Sequence, residues 1–273
     1  MTESIRKTIL FESAKGTVYS IRLTNNTGDY IDLTNYGARL IGVHVHTPGG
    51  GMENLAPVFE IKNEESFKDI EGTLLGGSLK AELSAKIWDI VEINQTSVMF
   101  TTETDNRIKI GLQITWVNLN RFILDIFATP EKNTEIDLQP HMELACRTYE
   151  ISCFCPQVNG QNTADTVYAD MMFRALKSEA EADVFSDTND AIKPMLELKD
   201  AASPLRVSFY STQHQAKAWV ENDLVCFASY EAEPVSVQAN ATLAERAIWG
   251  FDYITTNLAS DENDPESPFL GFF

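Results

Sequence analysis

The chain of 273 residues has few basic side chains, no long apolar run and little helical periodicity. Its 21 lysines and arginines face 40 acidic residues, which gives a formal net charge of −19. Such a charge disfavours binding to nucleic acid and to anionic membranes, and it suits a neutral or cationic ligand. No segment approaches the roughly 20 consecutive apolar residues needed to cross a bilayer. Nucleic acid and membrane are therefore not expected as partners.

Cysteine and histidine are scarce, with four of each. The opening MTESIRKTILFESAKG lacks the apolar core of a signal peptide, so we expect a cytoplasmic location and reduced, buried thiols. Cys153 and Cys155 form a CFC unit that would place both sulfurs on one face of a strand. Because no further soft ligands stand at a recognisable spacing, core packing is favoured over a metal site. The sequence predicts no metal and no cofactor.

Two of the histidines lie in GARLIGVHVHTPGGG, residues 37–51. Strand alternation would place Val43 and Val45 on one face and His44 and His46 on the other, with TPGGG as the turn. A pair of histidines spaced in this way can ligate a metal, but such a site requires a third ligand. We therefore favour a solvated strand face over a metal site.

Period-two alternation is the dominant pattern in the chain. The segment IKIGLQITW (108–116) places its isoleucines, its leucine and its tryptophan on one face, which is typical of a half-buried strand. Similar short segments, rich in β-branched and aromatic residues, occur at 18–23, 87–93, 97–102, 122–128, 205–211, 216–220, 224–230 and 235–239. Together they predict an all-β fold, a large antiparallel β-sandwich of ten or more strands.

Helical patterns are confined to NEESFKDI (63–70) and MMFRALKSEAEA (171–182), each long enough for a few turns at most. The chain contains no Pro-, Gly- or Ser-rich linker and no internal repeat. We therefore expect a single β-sandwich domain over 1–259, followed by an acidic C-terminal tail over 260–273 that includes SDENDPESP.

The segment YIDLTNYGARLIGVHVHTPGG (30–50) combines an LTNYGA run, an apolar strand and a glycine turn. It resembles the N-terminal signature of the galactose mutarotases, the aldose 1-epimerases. Two C-terminal segments are similar to paired strands and to the closing strand of that family, 205–234 and 243–256. The likeness extends from about residue 8 to residue 257 and implies the galactose mutarotase-like supersandwich.

The segment TEIDLQPHMEL (134–144) is similar to the family's T-P-V-N-L-T-N-H-S-Y-F. Thr134 and Leu138 match in this register, and His141 falls on the family's catalytic histidine. The residues that flank the histidine differ from the family pattern. The resemblance implies that His141 is the general acid.

The family's catalytic glutamate, which precedes a proline, has no direct counterpart. In the closest register Ala228 occupies its position, and Glu231 and Glu233 follow just before Pro234. A shifted register or a bulge would bring one of these glutamates into the site, so the resemblance implies Glu231 or Glu233 as the base. The alternative to a catalytic role is that both glutamates lie in a solvated loop.

Other family features are altered. The segment GGSLKAEL (76–83) stands where the family has an arginine-bearing G-R-x-x-N-R-I, and the H-G-G loop before the tryptophan strand is missing. The resemblance implies that Asp183, in EADVF, takes the place of the family's aspartate that binds sugar hydroxyls.

Mutarotation requires an acid at the ring oxygen and a base at the anomeric hydroxyl, tasks that suit a histidine and a carboxylate. The resemblance therefore implies a cofactor-free aldose 1-epimerase that interconverts the anomers of a hexose. Two alternatives remain open. The chain could be a catalytically degenerate carbohydrate-binding protein of the same fold, with His141 as a structural hydrogen-bonding residue, or a structural sandwich, since a fold does not fix chemistry.

Overall fold

The computed structural model describes residues 6–59, 61, 63–67, 72–145, 147, 149–189 and 191–254. In these residues the strands, in chain order, are β1 (Arg6–Ser13), β2 (Gly16–Thr24), β3 (Tyr30–Thr34), β4 (Arg39–His46), β5 (Met52–Asn54), β6 (Asp89–Ile93), β7 (Ser97–Glu103), β8 (Ile108–Val117), β9 (Arg121–Pro130), β10 (Thr134–Ile136), β11 (His141–Ala145), β12 (Tyr149–Cys153), β13 (Gln157–Val158), β14 (Gln161–Asn162), β15 (Arg174–Ala175), β16 (Phe185–Ser186), β17 (Lys193–Asp200), β18 (Leu205–Ser211), β19 (Gln215–Glu221), β20 (Leu224–Tyr230), β21 (Val235–Val237) and β22 (Leu243–Tyr253). The predicted antiparallel β-sandwich is confirmed.

The largest sheet has nine strands in the order β15-β12-β17-β18-β22-β9-β8-β7-β6. Its strand β22 lies at the centre and pairs with β18 on one side and β9 on the other. The alternation predicted for 108–116 is confirmed, because Ile110, Leu112, Ile114 and Trp116 are all buried. Alternating burial of this kind gives the sheet one continuous apolar face.

A six-stranded sheet, in the order β11-β20-β19-β16-β13-β14, packs against this apolar face. Phe209 on β18 contacts Phe227 on β20, with ring centroids 6.2 Å apart, and it also contacts Trp249 on β22 at 5.0 Å. Aromatic side chains from both sheets therefore fill the space between them. A short two-stranded sheet pairs β10 with β21.

The N-terminal five-stranded sheet, in the order β1-β2-β3-β4-β5, shares this core. The indole nitrogen of Trp116 donates to the carbonyl of Asp29 at 2.9 Å, which ties β8 to the loop before β3. The LTNYGA run forms the turn between β3 and β4. There Gly37 has φ +70°, and a Cβ at this position would lie 2.6 Å from the carbonyl oxygen of Ser84, so glycine fits the turn.

The helix predicted over 171–182 is wrong. Asp170 and Met171 have left-handed backbone angles, with φ of 56° and 55°, and a helix cannot continue through them. The segment instead contributes β15, which pairs with β12 at the edge of the large sheet, and a short 3₁₀ turn at Glu179–Glu181. Pairing with a sheet edge has overridden a weak helical pattern.

Helical structure is limited to short pieces. These are one α-helical turn, α1 (Lys80–Leu83), and 3₁₀ turns at Glu64–Phe67, Gly77–Leu79, Thr163–Asp165, Ala169–Met171 and Glu179–Glu181. The helix predicted over 63–70 is thus a single 3₁₀ turn where it is described, and the predicted acidic tail lies outside the described residues. No helix in the described part of the chain has the length and apolarity to cross a membrane.

Candidate functional site

The candidate site lies on the face of the six-stranded sheet formed by β11, β20 and β19. In the register of these strands, His141 pairs with Ala228, and Glu143 pairs with Cys226. Trp219 on β19 pairs with Cys226 on its other side. Because side chains two residues apart on a strand share a face, all five side chains project from the same side of the sheet.

His141 is held rigidly at the start of β11. Its backbone nitrogen donates to the carbonyl of Leu74 at 3.1 Å, and its ring stacks on Trp219 with centroids 5.8 Å apart. Its Nδ1 lies 3.5 Å from Oε1 of Glu143. With only 4% of its surface exposed, the imidazole is enclosed by protein on nearly every side.

Glu143 is the carboxylate nearest to His141 in sequence on this face, and it is also buried. The backbone N–H of Gly72 donates to its Oε2, and Nζ of Lys80 lies 3.2 Å from its Oε1. Gly72 has φ +92°, and a Cβ there would lie 2.5 Å from the carbonyl oxygen of Leu40. Only glycine fits this position without displacement of the backbone, so the segment from Gly72 to Lys80 is shaped to hold the carboxylate.

The methyl group of Ala228 occupies the position beside His141 where the resemblance would place a carboxylate. Glu231 follows three residues later, roughly 10 Å farther along the chain at about 3.3 Å per residue. Its carboxylate accepts hydrogen bonds from the backbone nitrogen of His214 at 3.1 Å, and it lies 2.6 Å from Nδ1 of that histidine. The contact with His214 directs Glu231 toward the β18–β19 turn.

Glu231 and Glu233 line a separate cleft that is too narrow to admit a water molecule. Its walls are formed by acidic, amide and aliphatic residues, Ile136, Asp137, Leu138, Gln213, Glu231, Glu233, Val235, Leu243 and Glu245. His141 is not among the residues that line this cleft. The structure therefore brings the two predicted glutamates together with Glu245, but it does not bring them to the predicted histidine.

The pKa of Glu245 reports on this acidic cleft. Burial and the charge of Glu231 raise this pKa above its ordinary value. A hydrogen bond from Thr212 lowers the pKa, but it does not outweigh these two effects. We expect Glu231→Gln to lower the pKa of Glu245, because the neighbouring negative charge is removed. Carboxyl ¹³C NMR titration measures this shift.

The matched control is Glu233→Gln, since Glu233 is exposed at the rim of the same cleft and does not contribute to the pKa shift of Glu245. An unchanged pKa of Glu245 in Glu231→Gln would show that the two carboxylates do not interact.

Asp183, the predicted sugar-binding residue, lies in a network of donors. Its carboxylate accepts hydrogen bonds from Asn159 at 2.7 Å, Tyr168 at 2.7 Å and Lys177 at 2.8 Å. Burial raises its pKa, but these hydrogen bonds and the charge of Lys177 outweigh burial and lower the pKa below its ordinary value. The adjacent Ala182 packs against Trp219. The role of Asp183 in sugar binding stays a prediction.

The histidines of the glycine-turn strand contact different partners. His46 lies 2.7 Å from Oδ1 of Asp29, whereas His44 stacks on Tyr30 at 4.3 Å. Burial lowers the pKa of His44, despite the nearby charge of Asp32. Each imidazole therefore has a local structural contact.

Sequence reasoning missed Glu143 and Cys226. Both lie on short strands that are buried on both faces, so alternating hydrophobicity does not mark the site face. The available signal is the HME run of β11, in which His141 and Glu143 share a face. The predicted core location of Cys153 and Cys155 is supported by their burial, which raises the pKa of Cys153 to about 11.

The fold is similar to several solved structures. The GalM/aldose epimerase homologue from C. elegans superimposes with a TM-score of 0.72 at 13% identity, over 86% of this chain and 99% of that one. The galactose 1-epimerase from Lactobacillus acidophilus NCFM superimposes with a TM-score of 0.71 at 12% identity, over 91% of this chain and 99% of that one. The Slr1438 protein from Synechocystis sp. PCC 6803 superimposes with a TM-score of 0.63 at 10% identity, over 93% of this chain and 100% of that one.

No protein-family model matches the chain, and no curated protein matches it by sequence. The similarity thus lies in the three-dimensional arrangement, over nearly the full length of each solved structure. The described strands form the same antiparallel sandwich as those structures. The chain therefore has the galactose mutarotase-like fold.

Proposed function

We propose that this protein binds a sugar in the manner of a mutarotase but lacks the acid–base pair that interconverts anomers. The observation that carries the proposal is the register of β11 and β20, in which the methyl group of Ala228 lies beside His141. The ligand class is supported by solved structures of the same fold that are described as a galactose 1-epimerase and an aldose epimerase homologue. The acidic surface favours a neutral sugar over a sugar phosphate.

The chemistry of ring opening explains why the missing carboxylate matters. The acid must protonate the ring oxygen while the base removes the proton of the anomeric hydroxyl, and both oxygens are bonded to the same carbon. The two protein groups must therefore approach the sugar from different directions. Glu143 does not meet this requirement, since it contacts His141 itself and is held by Gly72 and Lys80.

Glu231 and Glu233 meet the requirement no better. Glu231 accepts two hydrogen bonds at His214, and Glu233 lies in the same separate cleft. In the proposed function, the small exposed part of the His141 imidazole contacts the sugar, and the two glutamates belong to a different surface.

One observation favours a second candidate, aldose 1-epimerase activity. The 3.5 Å contact between His141 and Glu143 orients the imidazole, as a general acid requires. A base would then have to come from a residue other than those proposed from the sequence. Each acid or base group of this kind typically contributes about 10²–10⁴-fold in rate.

Anomer exchange separates the two candidates. We expect the protein to broaden or shift the NMR signals of glucose or galactose, while the rate of α–β exchange stays at the buffer value. His141→Ala should weaken the binding of the sugar and leave the exchange rate unchanged. The control is Glu231→Gln, which should bind the sugar like the wild type.

The opposite result, faster anomer exchange, would support the epimerase. If the wild type accelerates exchange by about 10²-fold or more and His141→Ala abolishes that acceleration, the protein is an epimerase and the proposal of a degenerate site is wrong. If no hexose binds, the sugar-binding function itself is rejected.

A further inference from the structure

Three metal-ligating side chains meet at the centre of the site face. His141, Glu143 and Cys226 each offer a ligand atom, and these atoms all lie within 4.8 Å of one another. All three residues are buried, with 3–4% of their surface exposed. In the described part of the chain, this is the group of histidine, cysteine and acidic residues that comes close enough together to hold an ion.

We propose that His141, Glu143 and Cys226 form a binding site for a divalent ion of the zinc type. Imidazole nitrogen, thiolate sulfur and carboxylate oxygen are the donors that Zn²⁺ uses in proteins. Hard ions such as Mg²⁺ and Ca²⁺ prefer all-oxygen sets, so a site with a thiolate and an imidazole selects against them.

The distances require a small closure of the three side chains. Bonds of about 2.0–2.3 Å in a tetrahedral site place the donors roughly 3.3–3.8 Å apart. Since no separation here exceeds 4.8 Å, the widest has to shorten by at most about 1–1.5 Å. The contact between Nδ1 of His141 and Oε1 of Glu143, at 3.5 Å, already lies in this range. Three protein ligands leave one tetrahedral position open, as in zinc sites that bind an exchangeable molecule.

Charge balance supports the same site. A divalent ion together with one carboxylate and one thiolate is neutral overall, which lowers the cost of burying each charge. In the absence of an ion, the positive charge near Glu143 comes from Lys80, whose side chain is 38% exposed. Lys80 can move into solvent when an ion takes its place, while the N–H of Gly72 continues to orient Oε2.

The metal site and the proposed sugar binding share His141, but the metal ligands are placed by the register of the strands and do not require a sugar. Metal binding is therefore measured with the ion alone, so its failure would leave the sugar-binding result unaffected.

The direct test is titration of the chelator-treated full chain with Co²⁺, which substitutes for Zn²⁺ and reports thiolate ligation by a near-ultraviolet charge-transfer band. We expect the band to saturate at one equivalent and to disappear when Zn²⁺ is added. Cys226→Ser should remove the band and weaken binding by more than about 100-fold, since even outer-shell partners contribute 10–100-fold. The matched control is Cys153→Ser, a buried cysteine outside the group, which should keep the band.

Two further variants keep the test decisive if Cys226→Ser does not fold. His141→Asn should weaken binding to a similar extent while it retains the thiolate band at high Co²⁺. Lys80→Met should increase the affinity for Zn²⁺, because it removes the cation that competes for Oε1 of Glu143. Absence of a saturable thiolate band in the wild type, a band unaffected by Cys226→Ser, or an unchanged affinity in both His141→Asn and Lys80→Met would overturn the proposal.

Discussion

Replacing Phe209 with alanine is expected to lower the free energy of unfolding by about 3–5 kcal/mol, the usual cost of deleting a buried phenyl ring. Phe209 is fully buried, and it contacts Trp249 in its own sheet and Phe227 in the facing sheet. The substitution leaves a cavity where the two sheets meet. Since a domain is typically stable by 5–15 kcal/mol, this loss would consume a large part of the total.

Urea denaturation followed by tryptophan fluorescence measures this effect. The control is Val91→Ala, which shortens an exposed side chain on the edge strand β6 and should change stability by no more than about 0.5 kcal/mol. A loss below about 1 kcal/mol for Phe209→Ala would show that the two sheets do not depend on this contact. Phe227 lies between Cys226 and Ala228 in sequence, so the same change should also disturb the site face.

Replacing Arg147 with methionine is expected to cost about 3 kcal/mol, the lower end of the range for a broken buried pair, because it leaves the buried carboxylate of Asp200 and the partly exposed carboxylate of Glu53 without their cation. The guanidinium of Arg147 donates to Glu53 at the end of the five-stranded sheet and lies 3.3 Å from Asp200 on β17. The side chain of Asp200 is only 4% exposed. Tyr253 of β22 also donates to Glu53, so this cluster joins two sheets.

The pH dependence of stability shows whether the ion pair of Arg147 with Glu53 contributes to the free energy of unfolding. Burial raises the pKa of Glu53, but hydrogen bonds from Arg147 and Tyr253 outweigh it and hold the pKa below its ordinary value of 4.5. The stabilising contribution of a carboxylate with a depressed pKa is complete above its unfolded value and is lost as the pH falls through the folded value. The difference in stability between wild type and Arg147→Met should therefore narrow below about pH 4.5.

The matched control for Arg147→Met is Arg107→Met. Arg107 is 67% exposed and forms long ion pairs with Glu103 and Glu131, which contribute about 0–1 kcal/mol in total at such a site. Equal losses for the two variants would show that burial of the Arg147 cluster adds nothing to stability.

The fold could be predicted from the sequence because its main signal is local. Alternation over 108–116 and the turn residues between strands are read directly from neighbouring residues, and the structure confirms the corresponding strands β8 and β9. The segment 171–182 could not be predicted in the same way. Its secondary structure depends on pairing with β12, which lies in another part of the chain.

The site could be predicted only in part for the same reason. His141 is found through a resemblance of its own segment, but its surroundings are fixed by the register of β11 against β20. A shift of one residue would turn Cys226 and Ala228 to the other face. No local pattern determines that register, so the partnership of His141 with Glu143 and Cys226, and the separation from Glu231, appear only in the folded structure.

The central position of β22 has a consequence for how the protein is made. This strand joins the half of the sheet from β6 to β9 with the half from β12 to β18, and it comes last among the described strands. On a ribosome, the two halves of the sheet emerge first, each with an unpaired inner edge where β22 will insert. The sheet can close only after residue 253 has emerged, so the inner edge of β9 is open to misassociation from the synthesis of residue 130 until then.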